Sequence, residues 1–408
     1  MSEQSFPMGV RIRLSAMMFL QYLLLPVWLL PLAAYLDKLH VVGAYRAAIV
    51  SSMALGCLAS PLIGMVADRH FASEKVLAVL NLLTAVFLVL AAQVTTPGLV
   101  FLFLLAVMLC YMPTWGLTSS IAMSNSPSEK FPQIRVFGSV GWVAAGLFSI
   151  VAIKMFNETI DGTATTLYCG AGAALAAAVF ALALPHTPPP AKGKETSLLD
   201  VLGLRSLALM KDFPFAVFIV TYLLIQIPFS IYFSYCSLFL HDKGFNFITV
   251  TMNWGQVAEM VFMLMIPLVI ARVGLKWAMA IGLVALVVRY VSFLLGGMLD
   301  MPWLYFVAIL VHGLIFGFYF VGGQIYVDRK APKEARAQAQ SFVFLCYGVG
   351  SLVGNFVNES LISANSTLGA AGEKIYNWQP IWMAMAISSV VLLLAFVALF
   401  RDDTQSAT

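Results

Sequence analysis

Apolar residues in this 408-residue chain recur in blocks long enough to cross a lipid bilayer, and that recurrence excludes most folds. A spanning helix needs about 20 mostly apolar residues. Twelve such blocks can be read, at 14–36, 46–67, 75–93, 98–123, 132–155, 166–184, 214–240, 247–271, 276–298, 303–327, 335–361 and 378–400. Only 10% of the residues are charged, against about 25% in soluble domains. With a mean hydropathy of +0.92, the expectation is an all-α integral membrane protein of twelve transmembrane helices.

The net charge of +4 does not indicate a nucleic-acid partner, because the basic residues are sorted by loop. With both termini cytoplasmic, seventeen of the 23 Lys and Arg residues fall inside and five outside, and Arg289 lies within a block. That asymmetry sets the orientation by the positive-inside rule. Arg11 and Arg13 precede an apolar segment too long for a signal-peptide core, with no small-residue cleavage pattern after it, so it reads as the first span. The five cysteines stand singly, without metal spacing. No P-loop, HExxH or nucleophile–base set occurs, which argues against an enzyme or an ATP-driven pump and leaves an ion gradient as the energy source, without cofactor or metal.

The stretch 186–213 is basic, carries Pro188, Pro189 and Pro190, and separates the sixth block from the seventh. It divides the chain into six-helix bundles at 1–185 and 214–408 joined by a cytoplasmic linker. Between the second and third blocks stands Gly64-Met65-Val66-Ala67-Asp68-Arg69, a G-x-x-x-D-R pattern. Six plus six helices, a long linker and this motif resemble the major facilitator superfamily. The resemblance implies two halves that rock about a site near the bilayer midplane.

Within the blocks, polar residues carry the chemistry. Glu259 falls about halfway along the eighth, where an ionised carboxylate costs roughly 2.5–3.5 kcal/mol on insertion scales. Such a residue should face a cavity, a partner or a proton. Gln256 is three residues away and shares its helix face, with Asn253 a turn further out. The competing reading of this stripe is a polar helix contact that only holds the bundle together. Arg135, Ser139 and Trp142 share a face of the fifth block, where Arg135 could equally be a positive-inside anchor. The seventh block holds Gln226, Ser230, Tyr232, Phe233 and Tyr235, a mixture suited to a flat ligand with polar edges or to ordinary aromatic packing. His312, in the tenth block with Phe316 and Phe320, can titrate or donate a hydrogen bond, and the donor role suits a lone histidine. Gln21, Tyr111 and Thr114 are further polar candidates, and Trp28 a further stacking ring. Arg289 and Arg135 are rival partners for Glu259.

Longer matches narrow the family. The segments MPTWGLTSSIA (Met112 to Ala122), FPQIRVFGSVGW (Phe131 to Trp142), GQVAEMVFMLMIPL (Gly255 to Leu268) and YVDRKAP (Tyr326 to Pro332), together with AAQVTTP (Ala91 to Pro97), resemble the bacterial nucleoside:proton symporters of that superfamily. The resemblance implies a proton-coupled symporter importing nucleosides across the bacterial inner membrane by alternating access, acting as a monomer. It places the binding site on Arg135, Ser139, Trp142, Gln226, Gln256, Glu259, His312 and Phe316, with Glu259 carrying the proton. His312 stands where the family usually has Tyr, and Gly317 where it often has an acidic residue. The alternatives are a sugar or other small-solute proton symporter of the same fold and, more remotely, a membrane sensor that does not transport.

Overall fold

The structure, a computed structural model, describes residues 7–58, 60, 71–127, 130–189, 204–332, 336–369 and 374–404. The 64–69 motif and half of the linker lie outside these residues. The chain forms two compact units. Unit 1 comprises 1–41, 48–196 and 245–250, and unit 2 comprises 42–47, 197–244 and 251–408.

In unit 1 the first apolar block is broken by Pro26 and Pro31 into α1 (Met8–Leu23), α2 (Pro26–Leu29) and α3 (Leu32–Lys38). Proline lacks the N–H that a helix interior needs, so each one opens a new first turn. There follow α4 (Ala44–Val50, its first turn in unit 2), α5 (Ser73–Ala92), α6 (Pro97–Ser124), α7 (Phe131–Ala144), α8 (Gly146–Phe156) and α9 (Thr165–Ala181). Helix α1 packs closely on α7 because Gly141 has no side chain there: a Cβ would stand 2.2 Å from the Phe19 carbonyl oxygen. Trp28 is fully buried against Gly170 of α9, so it is packing material and not an open stacking ring. Between α8 and α9 the Asp161 carboxylate accepts from Ser149 Oγ (2.6 Å), Thr249 N (2.9 Å) and Thr249 Oγ1 (3.0 Å). Burial pushes the pKa of Asp161 up, and these hydrogen bonds only partly offset it.

Unit 2 contains α10 (Phe213–Asp242), α11 (Ile248–Met263, its first turn in unit 1), α12 (Ile266–Met298), α13 (Trp303–Leu310), α14 (His312–Leu314), a π-helical segment Ile315–Val321, α15 (Gly322–Lys330), α16 (Arg336–Ala364) and α17 (Trp378–Leu399). Inside α12, Gly274 takes φ 79° and ψ 166°, a conformation essentially reserved for glycine. The break there separates the eighth apolar block from the ninth. Helix α10 lies along α16, whose Gly350 and Gly354 form a small-residue seam: Cβ atoms there would meet Gln226 Cγ at 2.7 Å and Ser230 Oγ at 2.7 Å. Helix α10 runs unbroken through Pro228. The Tyr290 hydroxyl donates to the Pro228 carbonyl, and the Asn358 amide donates to that of Ile227 (2.9 Å).

A short antiparallel hairpin, β1 (Ser366–Leu368) with β2 (Lys374–Tyr376), precedes α17 and is the departure, among the described residues, from an all-helical chain. It delivers Tyr376 to a buried ion pair. Arg46, fully buried, donates from Nε (2.7 Å) and Nη2 (3.0 Å) to the two oxygens of Glu359 and from Nη1 to the Tyr376 hydroxyl (3.1 Å). Gly43 N and Ser363 Oγ also donate to Glu359. This fork-to-fork geometry uses both carboxylate oxygens, which is what makes a buried charge pair tolerable.

Among the described residues nine helices are long and apolar enough to cross a membrane, and α9 is a shorter apolar helix. The count of twelve is consistent with this and reaches into residues outside the described set.

Removing one partner of the Arg46–Glu359 pair strands the other charge. Arg46→Met is expected to lower unfolding stability by about 3–5 kcal/mol. The double variant Arg46→Met, Glu359→Leu should recover much of that loss. Denaturation in detergent, followed by tryptophan fluorescence, checks both values.

Candidate functional site

The densest set of functional side chains in unit 2 surrounds His312. On α10, Phe229, Tyr232 and Phe233 follow i, i+3, i+4 spacing and so share one helix face. That face meets the imidazole. Tyr232 stacks on it with ring centroids 5.1 Å apart, Phe229 stacks at 6.0 Å, and Phe233 presents its edge at 5.2 Å. Phe316, in the π-helical segment, lies 6.2 Å away. π-Helical turns alter the side-chain register of a helix and are common at functional sites.

The two imidazole nitrogens have opposite charges as neighbours. His312 Nε2 lies 3.6 Å from Glu259 Oε2, slightly beyond hydrogen-bond length, and Nδ1 lies 2.9 Å from Arg289 Nη2. His312 therefore stands between the carboxylate and Arg289, one of the two rival partners that sequence analysis offered it. Arg289 also donates from Nε to the Ala308 carbonyl (3.2 Å), and its guanidinium carbon sits 4.1 Å from the centroid of the Tyr232 ring. That cation–π contact compensates part of the charge's lost hydration. Arg289 is fully buried and Glu259 is 7% exposed.

Two glycines bring these helices together. A Cβ on Gly313 would stand 2.4 Å from the Glu259 backbone nitrogen. One on Gly255 would stand 3.0 Å from the Ile309 carbonyl oxygen and 3.1 Å from His312 Cβ. Backbone-to-backbone approach at these two points positions Glu259 beside the imidazole.

Unit 1 holds a second set. The Arg135 guanidinium carbon lies 4.2 Å from the centroid of the Tyr22 ring, and that ring stacks on Trp115 at 5.3 Å. Ser139 is half-buried one turn further along α7, and Trp142 is buried. Beneath Tyr22, Gln21 exchanges hydrogen bonds with Asn81 (3.2 and 2.9 Å) and donates to Thr114 Oγ1 (2.6 Å), while the Tyr111 hydroxyl donates to the Gln21 carbonyl (2.7 Å). Gln21, Tyr111 and Thr114 thus satisfy one another inside the bundle.

The model of a family described as nucleoside H+ symporters matches residues 8–405. The chain belongs to the nucleoside H+ symporter family. It is 35% identical to the YegT protein of Escherichia coli (strain K12), over 97% of this chain and 95% of that one. With the xanthosine permease of the same organism it shares 29% identity, over 97% and 96% respectively. The crystal structure of the nucleoside transporter NupG superposes with a TM-score of 0.85 at 30% identity, covering 97% of this chain and all of that one. The fold is accordingly that of the major facilitator transporters, as the resemblance implied.

Measured against this symporter framework, the structure groups Glu259, His312 and Phe316 around one aromatic cage. Gln256 is half-buried on α11, three residues before Glu259. Gln226 is fully buried and turned toward α16, where its Oε1 accepts from Ser351 Oγ (3.3 Å) and its Nε2 has no hydrogen-bond partner among the described residues. Sequence analysis singled out neither Tyr22 nor Trp115, although Tyr22 stands beside Gln21 and Trp115 lies within a quoted family segment. It also passed over Glu359, a second buried carboxylate of unit 2, which is committed to Arg46. At Gly317 a Cβ would meet Ile266 Cδ1 at 3.4 Å, ordinary contact with an apolar neighbour, and no charge is held at that position.

Gly313→Ala should push α14 off the Glu259 backbone and cost about 1–3 kcal/mol, as overpacking does. Gly172→Ala, at a helical position with nothing within 4 Å of the added atom, should be neutral or slightly stabilising. Paired thermal unfolding curves of the two variants test whether the glycine contact, and not helix propensity, sets the difference.

Proposed function

We propose that this protein imports nucleosides together with protons across the bacterial inner membrane by alternating access, with both termini in the cytoplasm, and that Glu259 carries the proton. The observation that carries the assignment is a buried carboxylate on α11 beside an imidazole, itself enclosed by aromatic rings. A carboxylate held at such depth changes its energy greatly on protonation, which is what a proton-binding step requires. The family description, nucleoside H+ symporter, names the same cargo and the same ion. A relative named xanthosine permease and a similar structure named a nucleoside transporter support a nucleoside substrate.

In unit 2 the Gln256 amide and the His312 N–H are assigned to polar groups of the nucleoside and Phe316 to stacking on its base, since an aromatic face takes any base at similar cost. The unsatisfied amide nitrogen of Gln226 suits an oxygen of the substrate. In unit 1, Arg135 and Ser139 are assigned hydrogen-bonding roles and Trp142 a stacking role. Basic residues sorted to one set of loops support the orientation.

The decisive experiment separates coupling from binding. In proteoliposomes with an imposed proton gradient, Glu259→Gln should abolish accumulation of labelled uridine or adenosine while leaving nucleoside counterflow, which needs no net proton movement. Accumulation against a gradient by the variant would overturn the assignment of Glu259. Competition by sugars but not nucleosides in the same counterflow assay would overturn the substrate.

A further inference from the structure

The hydrogen bond between Arg289 and His312 carries information about where a proton sits. Arginine offers only donors and remains charged at any pH a protein meets. Its Nη2 lies 2.9 Å from His312 Nδ1, so that nitrogen must present its lone pair. A neutral imidazole accepting at Nδ1 holds its single proton on Nε2, the nitrogen 3.6 Å from the Glu259 carboxylate. A doubly protonated ring would set two N–H donors, and two positive charges, against each other at Nδ1 in a site that excludes water.

We propose that Arg289 is a positioning residue: it fixes His312 as the neutral, Nε2-protonated imidazole and so aims a permanent N–H donor toward Glu259. This rests on the reading of Glu259 as the proton carrier and deepens it. The charged and titratable groups facing the ring are Glu259 from α11, Arg289 from α12 and Tyr232 from α10. Tyr232 lies face-on to the imidazole and offers it no acceptor, while its ring also holds the guanidinium at 4.1 Å. Arg289 is thereby fixed from three sides, by the Ala308 carbonyl, the Tyr232 ring and His312 Nδ1, and cannot turn away without leaving a buried charge. His312 is therefore a reporter of the Glu259 charge and not a second proton carrier. The ionised carboxylate draws on the Nε2–H, and the protonated one releases that donor to a substrate oxygen.

The direct test is the ¹⁵N spectrum of histidine-labelled full-length protein in lipid, with the His312 resonances assigned by difference from His312→Gln. The expected result is one protonated Nε2 and one hydrogen-bonded, unprotonated Nδ1, unchanged across about pH 5 to 8, where an unperturbed histidine titrates. In Arg289→Gln the amide can also accept, so the tautomer should become mixed or the ring should titrate in that range. An imidazolium signal, or a proton on Nδ1, in the unmodified protein would overturn the proposal even if Glu259 carries the proton. Uptake adds an independent reading. His312→Gln, which keeps an N–H donor, should retain uptake several-fold above His312→Phe, with the pH profile of the unmodified protein. Equal uptake by the two variants would remove any role for the donor, whereas loss of coupling in Glu259→Gln concerns the carboxylate alone.

Discussion

A guanidinium that has left water must be compensated by the chain that buried it, and in a bilayer no solvent remains to help. In unit 2 Arg289 is fully buried, and the groups that answer it are a backbone carbonyl, a tyrosine face and an imidazole nitrogen, while its Nη1 has no hydrogen-bond partner among the described residues. Each of those partners belongs to a different element. Satisfying one charge therefore orders α10, α12, α13 and the short α14 relative to each other, and Glu259 is held next to the result. The same physics governs Arg46, but with a different solution. There a carboxylate answers the guanidinium directly through two oxygens, and the charge is neutralised in place. One buried arginine is closed off; the other passes its influence through a ring that can redistribute it.

That contrast separates the two buried carboxylates of unit 2. Glu359 accepts from Arg46, Gly43 and Ser363, and its charge is matched directly by the guanidinium. Glu259 instead has the His312 imidazole between it and the buried guanidinium, with Nε2 3.6 Å from Oε2. Burial alone does not decide what a carboxylate does. The number and charge of its donors decide between anchoring and exchange.

Much of this was legible in the residues. Blocks of about 20 apolar positions and their sorted flanking charges identify a helical membrane protein without reference to any structure. The i, i+3 spacing of Gln256 and Glu259, and the depth of Glu259 in its block, marked one member of the unit 2 cluster that forms around His312. What stayed hidden depends on contacts distant in sequence. Arg46 and Glu359 are 313 positions apart, and no local pattern links them. Arg289 was one of two rival partners for Glu259, but the intervening imidazole arises from how three helices meet, which periodicity does not encode. Trp28 looked like a free ring because its partner is an absence, the missing side chain of Gly170. The spacing of Gly350 and Gly354 was visible, yet it says only that some helix approaches closely; that it is α10 follows from the fold.

The two glycine contacts at and near Glu259 have one more implication. Where backbones touch with no side chain between them, there is no compressible layer: neither helix can slide, rotate or part by even an ångström without opening a void or a clash. Gly255 and Gly313 place two such contacts a little over one helical turn apart along α11, since Gly313 meets the backbone at Glu259. Two fixed points of this kind remove rotation as well as translation. The carboxylate and the imidazole are thus carried on elements in direct backbone contact, and separating them means breaking both contacts.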